Sequence, residues 1–344
     1  MAETAAESEW QETAPWNPAA FGAVHSYASI DAFIATPHVA NGVHRIAIPE
    51  SPAVDIFTRS VGGAYGIAAR AQAAMRRRMG SHPTFLPCFF TGATPDRSGR
   101  IGPYFSGRRI QINPLAPVVA VADPILAADP NLAIGWYTGL PHTGTQSIIA
   151  RALAHIAAVA GRPLLMIGGS GGGFAAIVYA ALLNSQRFTG SRIAADSAAF
   201  VWNPQVSITS YPFSQDYSTA MFPDHQQPRG QVAAQLLDAA GVIHDLRTIT
   251  VPKRLLYIQN KSDEYHLNHH AMPYAQAHGF SEQAPGVWAL SPEQQIVVAD
   301  YANGHAPLPR VVMRRLLRVL KRGGKTPSDL VRQLEEAGAH QREA

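Results

Sequence analysis

A serine lies between closely spaced glycines in the middle of the chain. Gly168, Ser170 and Gly172 fit the pattern G-x-S-x-G within the segment Leu164–Ala176. An apolar run precedes the pattern and an alanine-rich segment follows it, so the sequence predicts a strand, a sharp turn and a helix. Side chains two residues before and after the serine would collide in that turn, which explains the glycines. We predict Ser170 to be a nucleophile at a helix N-terminus, where N–H groups stabilise negative charge.

Two later residues could activate this serine, which needs a base to take its proton and an acid to orient the base. Asp263 follows the apolar run Leu255–Gln259, and His305 follows the run Ile296–Asp300. Both lie on loops just past predicted strands, and serine, acid, histidine is one of the chain orders that such triads use. We predict a triad of Ser170, His305 and Asp263.

A nearby loop could complete an oxyanion hole, which needs one N–H from the residue after the nucleophile and one from the first strand–helix loop of the sheet. Gly171 provides the first N–H. The run Phe89–Thr94 leaves a predicted strand and contains Gly92, so the N–H of Ala93 is the second predicted donor.

The glycine segment also permits two other interpretations. It could be a structural turn without chemistry. It could also be a dinucleotide fingerprint, in which Gly171, Gly173 and Ala176 approach the phosphates and Asp196 contacts the ribose. That fingerprint usually opens a domain, whereas other predicted strands precede it here.

A histidine cluster stands out as a possible metal site. His266 could share a helix face with His269 or His270 and bind a metal. No cysteine is near enough in the sequence to complete a zinc site, so we predict no metal and assign His266 to substrate binding or helix capping.

Short apolar runs alternate with helical patterns from residue 84 onward, which indicates parallel strands joined by crossover helices. We predict an α/β fold with a mostly parallel central sheet flanked by helices over residues 84–322. Aromatic residues and prolines interrupt this rhythm at 205–250, where we predict a cap or lid insertion.

Three further segments lie outside the predicted α/β domain. Residues 1–20 are predicted to be a flexible leader, and residues 323–344 a C-terminal tail helix. Residues 21–83 are predicted to be an N-terminal extension packed on the core, with two strands and a helix at Val43–Ile48, Val54–Thr58 and Ala64–Arg78.

The composition excludes several classes of protein. Of 344 residues, 47% are hydrophobic and 15% charged, which excludes a disordered chain and a coiled coil. Cys88 is the only cysteine, so an intramolecular disulfide is impossible. The acidic N-terminus does not resemble a signal peptide, and no apolar run reaches about 18 residues. We therefore expect a cytoplasmic protein without a transmembrane segment.

Basic residues are concentrated near the C-terminus, although the net charge is only +4. The segment Arg310–Lys325 fits an amphipathic helix whose basic face could bind nucleic acid or an anionic membrane. The simpler interpretation is a solvated helix face, and we predict no nucleic-acid partner.

With these motifs, the chain resembles the α/β-hydrolase superfamily over residues 84–322. Within it, the sequence is similar to serine-hydrolase-like proteins of bacterial polysaccharide and accessory-secretion gene clusters. That similarity rests on Phe90–Ala93, Pro103–Gly107, Asp123-Pro124, Gly135–Gly139, Gly168–Phe174, Trp202–Gln205, and Gln259-Asn260 with Asp263 and His266. A histidine usually precedes the glycine of the first of these motifs, where this chain has Thr91.

The resemblance implies hydrolysis of an O-acyl ester, possibly on a carbohydrate, without metal or organic cofactor. Trp136, Tyr137 and His266 are the expected substrate-binding residues. Two alternatives remain open at this point. An acyltransferase could use the same triad with a hydroxyl acceptor in place of water, and a non-catalytic binding or assembly protein could keep the fold. The sequence does not indicate the oligomeric state.

Overall fold

The computed structural model describes residues 13–62, 71, 75, 84–107, 116–185 and 191–343. Residues 1–12 of the predicted leader and most of the helix predicted at 64–78 lie outside these ranges.

The described strands form one mixed sheet. Its strands are β1 (Val24–Tyr27), β2 (Gly42–Ile48), β3 (Ser51–Arg59), β4 (Leu86–Phe90), β5 (Val118–Val121), β6 (Leu164–Gly169), β7 (Ala198–Trp202), β8 (Leu255–Asn260), β9 (Ser281–Ala284), β10 (Val287–Ser291) and β11 (Gln294–Ala299). Their order across the sheet is β1-β2-β3-β5-β4-β6-β7-β8-β11-β10-β9. All neighbours from β5 to β11 are parallel, whereas β3 runs antiparallel to β2 and β5, and β9 and β10 form an antiparallel edge.

Helices follow most of the parallel strands. They are α1 (Ile30–Ile34), α2 (Ile125–Ala128), α3 (Thr145–Ala160), α4 (Gly171–Asn184), α5 (Ser214–Met221), α6 (Gly230–Ala239), α7 (Glu264–His266), α8 (Met272–His278), α9 (Arg310–Leu320) and α10 (Leu330–Glu343). A π-helical turn, Leu267–Ala271, joins α7 to α8. Within the described residues, none of the helices combines the length and apolar character needed to cross a bilayer.

Alternating side chains of the central strands fill two cores, one on each face of the sheet. In β6, Leu164 and Met166 belong to one core, and Leu165 and Ile167 to the other. This period of two, with both faces apolar, is what a parallel strand covered by helices requires. Helices α3 and α4 cover the first face, and α9 and α10 cover the second. The predicted α/β fold is confirmed as a three-layer arrangement.

The N-terminal part is more closely integrated than the sequence analysis expected. Strands β1, β2 and β3 lie in the same sheet as the rest, so the boundary predicted at residue 84 falls within one continuous sheet. A 3₁₀ turn, Ala194–Asp196, precedes strand β7. The Asn184 side chain holds that turn through the carbonyls of Ala195 and Ser197.

The order of the strands determines where a site can form. The chain passes from β4 to β5 on one side and later continues with β6 on the other side of β4. Loops leaving β4 and β6 therefore diverge at the carboxyl edge, which is where open α/β sheets bind ligands. The loop with Gly92 follows β4, and Ser170 follows β6.

Candidate active site

The turn between β6 and α4, residues 168–172, is called the elbow below. Ser170 has φ 53° and ψ −128°, a backbone conformation that is costly for any residue with a side chain. A Cβ on Gly168 would lie 2.1 Å from the Gly172 carbonyl oxygen, and one on Gly172 would lie 2.5 Å from that of Phe90. Glycine is therefore required at both positions, as the sequence analysis expected on steric grounds.

The residues that follow β7 hold Ser170 from one side. The Ser170 N–H donates to the Trp202 carbonyl at 3.1 Å, and Gln205 Nε2 donates to Ser170 Oγ at 3.2 Å. Among the described residues, Gln205 is the hydrogen-bond partner of this hydroxyl, and no hydrogen bond joins Ser170 to His305. Gln205 belongs to one of the motifs noted in the sequence, but its contact with the serine depends on the strand order that brings the residues after β7 beside the elbow.

The loop after β4 passes close to the serine. A Cβ built on Gly92 would lie 3.6 Å from Ser170 Cβ. The backbone N–H of Thr91 donates to the Tyr137 hydroxyl, so it points away from the serine's surroundings. Within the described part of the chain, the N–H groups of Gly171 and Ala93 donate to no protein atom, so neither is committed to a hydrogen bond there.

Asp263 brings two histidines together. Its Oδ2 accepts from His305 Nδ1 at 2.6 Å, and its Oδ1 accepts from His266 Nδ1 at 3.0 Å. The two imidazole rings stack with centroids 4.1 Å apart. We call Asp263, His266, His270 and His305 the imidazole cluster. The structure thus joins two members of the predicted triad and adds His266 as a second partner of the same carboxylate.

Two asparagines hold the loop that carries His305. Asn260, the last residue of β8, donates from its side chain to the carbonyls of Ala302 and Gly304 at 2.9 and 2.7 Å. Asn203, which follows β7, donates to the Ala306 carbonyl at 3.0 Å. Since Trp202 also accepts from the Ser170 N–H, the end of β7 contacts both the elbow and the histidine loop.

The local environment determines the charges of the cluster. Burial acts to raise the pKa of Asp263, but hydrogen bonds from His266 and His305 outweigh it and hold that pKa well below its usual range. Burial lowers the pKa of His266, although Asp263 opposes the shift. Asp263 is therefore an anion at neutral pH, and His266 is a neutral imidazole that donates from Nδ1.

A metal ion is the alternative occupant of this cluster. Asp263, His266 and His305 offer donor atoms within 4.8 Å of one another. The Nδ1 atoms of His266 and His305 both lie at hydrogen-bond distance from the Asp263 carboxylate. A proton on each Nδ1 is enough to explain these two short contacts. His266, His269 and His270, which the sequence suggested as a possible metal site, have different partners. His269 is hydrogen-bonded to the Tyr265 carbonyl, and His270 accepts from the Val206 N–H.

The two aromatic residues predicted to bind substrate support the site from behind. Trp136 and Tyr137 are both fully buried. Trp136 Nε1 donates to Gln205 Oε1, and the Tyr137 hydroxyl donates to the Thr91 carbonyl at 3.0 Å. Neither ring is exposed to solvent. Trp136 therefore affects the site through Gln205, and Tyr137 affects it through Thr91.

The insertion between β7 and β8 contributes Tyr211 to the site. Burial raises the pKa of this half-buried phenol, the neighbouring Gln205 side chain opposes that rise, and the ring lies 6.0 Å from that of His266. The segment predicted as a cap or lid insertion also contains α6. Tyr211 therefore lies between the elbow side of the site and the imidazole cluster.

The geometry disfavours the dinucleotide interpretation. Asp196 precedes β7, whereas Gly171 and Gly173 follow β6. Because β6 and β7 are parallel, Asp196 lies at the opposite edge of the sheet from the glycines. It cannot take the ribose-binding place that the fingerprint requires.

Comparison with known proteins gives structural likenesses only. No protein-family model and no curated protein matches the chain. The capsule O-acetyltransferase of Neisseria meningitidis serogroup A is similar with a TM-score of 0.46 and 10% identity, over 83% of this chain and 97% of that one. An S-formylglutathione hydrolase from Agrobacterium tumefaciens is similar with a TM-score of 0.42 and 13% identity, over 83% and 94%. Identities this low concern the course of the chain and not its chemistry.

Proposed function

We propose that this protein is a serine acyl hydrolase that cleaves an ester through Ser170, His305 and Asp263. One observation carries the proposal: a serine in a strained strand-to-helix turn stands at the same sheet edge as a hydrogen-bonded Asp–His pair. Strained backbone of this kind persists where the surrounding structure enforces it, and it is concentrated at functional sites. An Asp–His pair is the arrangement that orients a base for a serine.

The proposed reaction begins with attack of Ser170 Oγ on the ester carbonyl carbon, while His305 Nε2 takes the hydroxyl proton. The carbonyl electron pair moves to oxygen, and the N–H groups of Gly171 and Ala93 stabilise the resulting oxyanion. Collapse expels the alcohol, which takes the proton from His305, and leaves an acyl-enzyme. Water then attacks the acyl carbon with His305 again acting as the base, and collapse of this second adduct releases the acid while His305 returns the proton to Ser170 Oγ.

In this proposal Asp263 fixes the tautomer of His305. The carboxylate accepts from Nδ1, which leaves Nε2 of His305 unprotonated and ready to act as a base. His305 is 40% exposed, so an incoming substrate can reach this ring. In the free protein Ser170 bonds Gln205 instead of His305, and such catalytic hydrogen bonds often tighten only when substrate is bound.

The proposed substrate class is an O-acyl ester, with a carbohydrate as the alcohol part, following the resemblance noted in the sequence. A panel of p-nitrophenyl esters and acetylated sugars with varied acyl length tests the reaction. Wild-type protein should release acid, and Ser170→Ala should lose at least about 10³-fold in kcat. Ser185→Ala, at the other end of α4, is the matched control and should keep wild-type rates. Equal turnover by Ser170→Ala and wild type would contradict the proposal.

A further inference from the structure

Gln205 is a buried amide in direct contact with the proposed nucleophile. It has no exposed surface, and its Nε2 lies 3.2 Å from Ser170 Oγ. Its backbone is also fixed to the elbow, since the Gln205 N–H donates to the Ser170 carbonyl at 3.3 Å. A buried amide is costly unless its polar atoms are paired, so its two ends should have defined partners.

Trp136 determines which end of the amide faces the serine. The indole Nε1–H can only donate, and it donates to Gln205 Oε1. Rotating the amide by 180° would place its NH₂ group against the indole N–H, donor against donor. The NH₂ group must therefore point toward Ser170 Oγ.

The Gln205 side chain also lies against the residue that follows the nucleophile. A Cβ built on Gly171 would meet Gln205 Oε1 at 3.2 Å and Ile134 Cδ1 at 1.9 Å. Gly171 provides one of the two proposed oxyanion donors. When Ser170 attacks a carbonyl, the oxyanion is only two bonds from Oγ, so the Gln205 Nε2 donor in contact with Oγ is within reach of the new charge.

We propose that the Gln205 carboxamide is a catalytic residue that donates a hydrogen bond from Nε2 to the charge developing at the Ser170 adduct, next to the N–H groups of Gly171 and Ala93. Trp136 is the positioning residue that prevents the amide from rotating. The donated bond also leaves the proton of Ser170 free to pass to His305. This inference rests on the proposed function, because it assigns a role within the same acylation step.

Three variants separate catalysis from packing. Gln205→Met keeps the length of the side chain and removes both polar ends. Gln205→Glu can still accept from Trp136 but loses the NH₂ donor. Trp136→Phe keeps the ring and removes the indole N–H that fixes the amide. Circular dichroism and thermal unfolding test whether each variant folds. If Gln205→Met does not fold, Gln205→Glu is the variant that tests the inference.

The readouts are kcat and KM for p-nitrophenyl acetate and the rate of labelling by a fluorophosphonate, which also places negative charge on an oxygen next to Ser170 Oγ. Loss of one oxyanion donor lowers kcat by about 10²–10³-fold, which is the expected effect of Gln205→Met and Gln205→Glu. KM should change by less than about 3-fold, since the bond is strong only in the transition state. Trp136→Phe should lower kcat by about 10-fold, and in a Gln205→Met background it should have no further effect.

A folded Gln205→Glu or Gln205→Met that keeps wild-type kcat and labelling would overturn the inference. Additive losses from Trp136→Phe and Gln205→Met would overturn the positioning role of Trp136. In both cases wild-type labelling would remain, so the proposed function would stand. Absence of labelling and turnover in the folded wild type would instead contradict the proposed function, and this inference with it.

Discussion

The elbow and the imidazole cluster lie at the same edge of the sheet, but different forces hold them. The elbow is fixed by backbone sterics within five consecutive residues, where a Cβ on Gly168 would collide with Gly172. The imidazole cluster is assembled by hydrogen bonds between Asp263 and His305, which are 42 residues apart, and by the stacking of His266 on His305. Changes to the elbow glycines should therefore cost stability first, whereas changes to Asp263 and His266 should cost activity first.

The largest expected effect is that of Asp263→Asn. The amide cannot replace the charge that His305 needs when it is protonated, and it permits the wrong tautomer, so kcat and the labelling rate should fall by about 10⁴-fold. Asp238→Asn, in a second Asp–His pair with His244, is the matched control and should keep wild-type activity. Activity within about 10-fold of wild type in folded Asp263→Asn would exclude Asp263 as the acid.

Gly172→Ala tests the elbow. The added Cβ would lie 2.5 Å from the Phe90 carbonyl oxygen, so one of the two segments must shift. We expect a loss of about 2–4 kcal/mol in the free energy of unfolding, measured by urea denaturation. Gly241→Ala has φ +70° and no atom within 4 Å of the new Cβ, so it should lose only about 1–2 kcal/mol. Equal losses of unfolding free energy in the two variants would show that steric crowding does not fix the conformation of the elbow.

The role of His266 can be divided between its two ring nitrogens. Its Nδ1 donates to Asp263, whereas its Nε2 is buried and has no hydrogen-bond partner among the described residues. His266→Asn can keep the donated bond and should remain within about 3-fold of wild-type kcat, whereas His266→Leu should lose about 10–30-fold because Asp263 Oδ1 then keeps only the longer 3.3 Å bond from the backbone N–H of residue 266. His269→Asn is the control from the same helix. A loss in His266→Asn as large as that in His266→Leu would show that the Nδ1 bond is not what matters.

The smallest expected effect concerns pH and His270. Burial, with the neighbouring His266 and His269, lowers the pKa of His270 from 6.5 to about 3. Below pH 6.5 the unfolded chain therefore binds a proton that the folded protein does not, and stability should fall as the pH decreases by about 1.4 kcal/mol per pH unit from this residue. Urea denaturation at pH 6 and pH 5 measures the slope. His270→Asn, which can still accept from the Val206 N–H, should show a shallower slope, and an unchanged slope would contradict this origin.

The comparison also shows why the sequence predicts one side of the site better than the other. The elbow is a local pattern, and its glycines, strand and helix lie where the sequence places them. The runs that became β6 and β8 were also recognisable, because both faces of a central strand are apolar. Asp263 and His305 were identifiable only as residues that follow predicted strands. This signal is weaker, because the order of the strands in the sheet determines whether such residues meet.

Three residues that occur in the motifs noted in the sequence have roles that only their tertiary neighbours reveal. Gln205, Asn203 and Asn260 act through groups 35 to 103 residues away, and nothing in their own surroundings indicates this. Strands β9 and β10 are short, and all four residues of β9 are exposed, so neither carries an apolar alternation. The burial of Trp136 and Tyr137 was equally invisible, because an aromatic pair in a loop can line a pocket or support one.

The central claim is that Ser170 is a nucleophile, and labelling with a fluorophosphonate followed by peptide mass spectrometry tests it most directly. The adduct should map to Ser170, be absent from folded Ser170→Ala, and form at least about 10³-fold more slowly in Asp263→Asn than in wild type. An adduct on another serine, equal labelling of Ser170→Ala, or no labelling of folded wild type would contradict the account.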